Sequence, residues 1–130
     1  VMQQYFQQTS AQLICMDLQE HDRAMSYVLG SSHLINLLYA GILSESGESL
    51  PKLKSIGGTT FLQQTRVTGK VVAENQDLYY DIQALNDETP TLLQDFQTLL
   101  DAYRKSIEEK DRKAFRKLMG RAQTFFGDSG

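Results

Sequence analysis

Between residues 18 and 44 the apolar positions recur in steps of three and four. Met25, Val28, Ser32, Ile35, Tyr39 and Ile42 mark out one face of a helix. A second row, Leu34, Leu37, Leu38 and Gly41, makes the C-terminal half apolar on most sides. One helix over this stretch is roughly 40 Å long at ~1.5 Å per residue. A helix that is apolar all round has to be covered on several faces, by its own domain and by a second subunit.

Upstream the character differs. Residues 2–9 suit a short helix, and Ala11-Gln-Leu-Ile-Cys-Met16 alternates as a strand does. This pair reads as the tail of another structural unit, of α/β type, so residues 1–17 are set apart from the helical domain 18–130.

Downstream, residues 44–58 read as a loop rich in Ser, Gly and Glu, with Pro51 inside it. Thr60-Phe-Leu-Gln63 has capping-box spacing and predicts a helix to about Asn75. Asp77 starts a shorter helix carrying Leu78, Ile82 and Leu85. Asp87-Glu-Thr-Pro90 offers a cap followed by proline in the first turn of the next, which carries Leu92, Phe96, Leu99, Leu100, Tyr103 and Ile107. Asp111 caps the last, with Phe115, Leu118, Ala122 and Phe125 on one face and Gly127 as its stop. The expectation is an all-α helical bundle around one long central helix, preceded by the leftover helix and strand.

Composition narrows the function classes. The chain has 130 residues, 41% apolar and 22% charged, enough for one core without staples. A net charge of -3 provides no positive field for nucleic acid or an anionic membrane, and no apolar run is long enough to span one. A single cysteine, Cys15, excludes an internal disulfide and fits a cytoplasmic protein. The start lacks the pattern of a signal peptide, and a chain beginning at Val1 suggests a piece of something longer.

Few residues invite chemistry. His21-Asp22 could be metal ligands, but the only other histidine, His33, lies about 120° away around the helix, too poor a set for a metal centre. No metal is expected, and the pair suits a helix first turn. His33 lies amid apolar neighbours, after the small residues Gly30, Ser31 and Ser32. It is either a core histidine with satisfied ring nitrogens or a hydrogen-bonding group facing a ligand pocket. Arg66 and Lys70, at i and i+4, share one helix face. They make either a carboxylate site or a solvated basic face. Gly69 between them costs about 1 kcal/mol relative to Ala, which a closely approaching backbone or ligand would explain. No dinucleotide fingerprint, phosphate loop or nucleophile elbow is present. The basic run from Arg112 to Arg121 is interspersed with acids and reads as a solvated face.

The order of these pieces resembles the prephenate dehydrogenase family. The strand-like segment running into Glu20-His21-Asp22 resembles the junction where that family's nucleotide-binding domain passes into a long helix. His33 falls where the family has its substrate-site histidine. Gly69-Lys70 followed by Asp77-Leu-Tyr79 resembles the family's Gly-Arg and aspartate-leucine-tyrosine segments, and Phe126-Gly127-Asp128 its terminal Phe-Gly-Asp. The resemblance implies the C-terminal half of an enzyme that converts prephenate to 4-hydroxyphenylpyruvate on the way to tyrosine. NAD or NADP would be bound by an N-terminal domain that also carries the catalytic histidine. It implies a homodimer through the helical domain, a dicarboxylate substrate, tyrosine as a potential inhibitor, and no activity in this piece alone. His33, Lys70, Arg66 and Tyr79 are the substrate-site residues it suggests.

Lys70 departs from the family's arginine. Lysine supplies charge without a planar fork. Either Arg66 takes over the clamp or carboxylate recognition is altered, which leaves arogenate open as the substrate. The alternative from another class is a non-catalytic helical module that binds an aromatic amino acid or a protein partner.

Overall fold

The computed structural model describes residues 14–127. They are helical, with no strand among the described residues, as the all-α reading expects. The expected strand over 11–16 lies mostly outside the described residues, and 14–16 belong to no regular element.

The central helix is a continuous run with an unexpected middle. Helix α1, Leu18–Met25, passes into a π-helical stretch, Ser26–Ser31, and then into α2, Ser32–Ser44. Asp17 starts it through a capping box: its carboxylate accepts from Glu20 N at 2.7 Å, and Glu20 Oε2 accepts from Asp17 N at 3.2 Å. The wide π turn carries serines whose hydroxyls donate to backbone carbonyls one turn back, Ser26 to Arg23 O at 2.7 Å and Ser31 to Tyr27 O, and Ser32 at the start of α2 does the same to Val28 O at 2.7 Å. Such insertions concentrate where a helix is shaped for a local purpose.

The segment expected as a loop contains a helix. In α3, Leu50–Ile56, Ser49 accepts from Lys52 N at 3.3 Å and Pro51 occupies the first turn. Proline is favoured there because its missing N–H has no helical partner in any case. Helix α4 spans Thr59–Val72, with Gly58 at the N-cap and no side-chain cap, so the Thr60–Gln63 box does not form. It also stops short of Asn75. That residue instead caps α5, Gln76–Ala84, where its Oδ1 accepts from Asp77 N at 2.9 Å and Leu78 N at 3.1 Å. Helices α6, Thr89–Glu108, and α7, Arg112–Gly127, complete the described chain.

The chain divides into two compact units, Val1–Thr89 and Pro90–Gly130. In the first, α4 lies antiparallel to α2: Tyr39 meets Phe61 edge-on at 6.4 Å, and Asn36 reaches Thr68 about two helix turns further along α4. Their seam is polar at its centre, where Asn36, Thr65 and Thr68 are all buried. Asn36 Oδ1 accepts from Thr68 Oγ1 at 2.7 Å and from Gln64 Nε2 at 2.8 Å, while its Nδ2 donates to Ser32 O at 2.7 Å. Gly57, just before α4, is closely approached by the Phe61 ring and Leu53 O, leaving no room for a Cβ.

In the second unit α6 and α7 form a helical hairpin with Tyr103 edge-on to Phe115 at 5.4 Å. Lys110 takes the left-handed conformation, φ 54°, between them. Asp111 N donates to Ser106 O at 2.8 Å and Lys110 N to Ile107 O at 3.1 Å, the two bonds of a Schellman motif. Asp111 Oδ1 then accepts from Ala114 N at 2.9 Å and opens α7, as its position in the sequence suggests.

Candidate functional site

Helix α5 docks on the central helix where the π turn ends. Asn86 Nδ2 donates to Asp22 O at 2.8 Å, and Gln83 Nε2 donates to Gly30 O at 2.9 Å. One turn before Gln83, Tyr79 stands edge-on to the imidazole of His33, with 4.4 Å between ring centroids and 67° between planes. The small residues before His33 act here as spacers: Ser26 and Gly30 are buried in the π stretch, and Gly30 presents its carbonyl to α5.

His33 is half-buried, and its Nδ1 is enclosed without a hydrogen-bond partner. Gln83 Oε1 is enclosed and unpartnered in the same way. Burial disfavours the imidazolium and holds the His33 pKa below its ordinary value of 6.5. A neutral ring is therefore the resting state near neutral pH. Alongside, a cavity of about 510 Å³ is lined by Leu37, Val71, Tyr79, Tyr80 and Gln83. Its walls combine the two tyrosines and apolar residues with Gln76, Gln83 and the acidic Glu74, a mixture that suits a small, partly apolar ligand.

The cations are arranged differently. Arg66 and Lys70 are exposed on α4, whereas Thr65 and Thr68 are buried against α2. Two residues turn a helix by ~200°, so Lys70 points away from the side on which Thr68 meets Asn36. Among the described residues neither cation makes an ion pair. Within one chain the structure thus brings His33 and Tyr79 together and directs Arg66 and Lys70 outward.

Gly69 is also not crowded as expected. A Cβ there would meet nothing within 4 Å, and the residue opens on a second cavity of about 490 Å³ with Gly41, Leu43, Leu50, Leu53 and Thr68. No backbone among the described residues accounts for that glycine. His21 lies on the surface 3.4 Å from Asp22, and no three metal-ligating side chains converge among the described residues. No helix of the described residues is long and apolar enough to cross a membrane.

Sequence reasoning missed Gln83 and the Asn36–Gln64–Thr68 cluster. A polar residue one turn from Tyr79 on the packed face of α5 was the available signal for Gln83, and Asn36 within an apolar helix was the signal for the cluster.

The described residues thus form an all-α domain in which the His33 imidazole and the Tyr79 ring are in contact and Tyr79 borders a cavity. The family described as "Prephenate dehydrogenase, dimerization domain" matches residues 17–121, and the chain belongs to it. A curated relative, the "Probable arogenate/prephenate dehydrogenase" of Methanocaldococcus jannaschii, is 24% identical over 123 residues. The match covers 95% of this chain but only 28% of that protein.

Proposed function

We propose that this chain is the dimerisation and substrate-binding part of a prephenate or arogenate dehydrogenase acting in tyrosine biosynthesis in the cytoplasm. The observation that carries the reading is the His33–Tyr79 pair beside the aromatic cavity, in a chain of this family. His33 hydrogen-bonds the substrate and Tyr79 borders it. Lys70 and Arg66 pair with a substrate carboxylate. Because they face away from His33 on their own chain, they do so at a boundary with another subunit or domain.

The family implies NAD or NADP, and the described residues do not fit a dinucleotide. A pyrophosphate site needs a strand leading through a glycine-rich turn into a helix. The Gly57-Gly58 turn before α4 follows a helix instead, and Gly57 is packed against Phe61. In this reading the cofactor is held by a different part of the full-length protein. The chain's own contribution is to bind and orient the substrate and to hold two subunits together. Tyrosine, which shares a carboxylate with the substrate, is the natural candidate for an inhibitor at the same cavity.

The test is steady-state kinetics of the full-length enzyme with prephenate and with arogenate. His33→Ala is expected to lower kcat/KM by about 10- to 100-fold, the loss of a hydrogen bond to a charged ligand, with dinucleotide affinity nearly unchanged. Lys70→Ala should do the same for the substrate that carries the recognised carboxylate. Unaltered kinetics in both variants would overturn the assignment.

A further inference from the structure

Two buried polar atoms at the α5 docking site are left without partners, and their chemistries are complementary. Gly30 O can only accept, so the Gln83 amide that bonds it must present its Nε2 end there. That removes the usual ambiguity between the two ends of a glutamine. Gln83 Oε1, an obligatory acceptor, is then the enclosed atom lacking a donor. His33 Nδ1 is the other enclosed atom, and it becomes a donor in one neutral tautomer only. The two side chains belong to one short stretch of interface. Gln83 is one turn from Tyr79, whose ring touches His33, and it bonds the carbonyl three residues before His33.

We propose that Gln83 is the positioning residue for His33: anchored on Gly30 O, its Oε1 accepts from His33 Nδ1–H, directly after a small side-chain adjustment or through one water, and so fixes the proton on Nδ1. Leaving both atoms unsatisfied costs the desolvation of each, whereas this single tautomer satisfies both. The other ring nitrogen, Nε2, is not among the enclosed unpartnered atoms and has no protein partner among the described residues. It therefore keeps its lone pair for a ligand. The consequence for the site rests on the functional reading above. His33 would receive a hydrogen bond from a donor on the substrate, a hydroxyl or an ammonium, and would not itself contact a carboxylate. Recognition of the carboxylate then falls to the cations.

The test uses the full-length protein with 15N-labelled histidine, without substrate, at a pH where His33 is neutral. Long-range 1H–15N correlations distinguish the two tautomers, with His33→Gln assigning the signals. Neutral imidazole in water prefers the Nε2–H form, so a dominant Nδ1–H form for His33 is the expected result. Gln83→Met keeps the length of the side chain and removes the acceptor. It is expected to return His33 to a majority of Nε2–H. An Nε2–H ring in the unaltered protein, or an unchanged tautomer in Gln83→Met, overturns the proposal. If Gln83→Met does not fold, the spectrum of the unaltered protein alone decides. No substrate enters the measurement, so its failure is distinct from a failure of the kinetic test.

Discussion

The ring of Tyr79 covers that of His33 edge-on, 4.4 Å away, and joins α5 to the first turn of α2. That cover makes the fold sensitive to acid. With its pKa lowered by burial, His33 is harder to protonate in the folded chain than in the unfolded one, where it titrates near 6.5. Above that value the ring is neutral in both states and contributes no pH dependence. As pH falls below 6.5 the unfolded chain takes up the proton first, so stability is lost until the folded-state pKa has also been passed. Denaturant midpoints measured between pH 7.5 and 5 should fall more steeply for the unaltered protein than for His33→Gln. Parallel curves would show that this imidazole is not the sensitive group.

The polar seam between α2 and α4 gives a second expectation. Asn36 accepts from both Thr68 and Gln64 and donates to Ser32 O, so three groups depend on one amide. Asn36→Leu leaves them in a buried setting with fewer partners. It should cost about 2–3 kcal/mol, the desolvation of stranded polar groups less the gain from apolar burial. Adding Thr68→Val should recover part of that loss. Urea unfolding of the single and double variants checks it, and a cost for Asn36→Leu well under about 1 kcal/mol would show that the seam is held by other contacts.

Lys110 stands where a glycine normally ends a helix. Its φ of 54° is required by the Schellman bonds from Asp111 N and Lys110 N. A left-handed residue with a Cβ costs roughly 1–2 kcal/mol relative to its usual conformation. Lys110→Gly should stabilise the α6–α7 unit by about 1 kcal/mol, while a β-branched Lys110→Val should destabilise it. Thermal unfolding followed by circular dichroism reads both signs.

How much of this was legible in the sequence depended on how local the cause was. The central helix announced itself through its period, and Asp111 and Pro90 marked helix starts because capping acts within four residues. Helix α3 was hidden by its surroundings: seven residues among Ser, Gly and Glu, with a proline that favours the first turn, look like a loop. The i, i+4 spacing of Arg66 and Lys70 established a shared face but not its direction. Direction was fixed by Thr65 and Thr68, whose modest polarity disguises them as surface residues although both are buried. Gln83 could not be assigned a partner from sequence, since Gly30 lies 53 positions away. The π turn escaped for a related reason: its serines suit an ordinary helix equally well.

Of the apolar positions read from the sequence, Tyr39 packs on Phe61 of α4, but others on the central helix stay uncovered within the chain. Within the first unit α2 turns His33, Asn36 and Leu37 toward α4, α5 and the cavity they border, while Ile35, Leu38 and Ile42 remain 48%, 49% and 69% exposed. Spaced i, i+3 and i+7, these three form a continuous ridge, and apolar ridges left uncovered on one chain mark association surfaces. In a family named for dimerization, a second copy of this chain is the occupant the ridge calls for. A carboxylate on it costs little in the single chain, where these positions already meet water, and a great deal in a dry contact. Leu38→Asp and Ile42→Asp are therefore expected to convert the protein to a monomer in sedimentation experiments, with helical circular dichroism preserved. A dimer that survives both substitutions would mean that another surface joins the subunits.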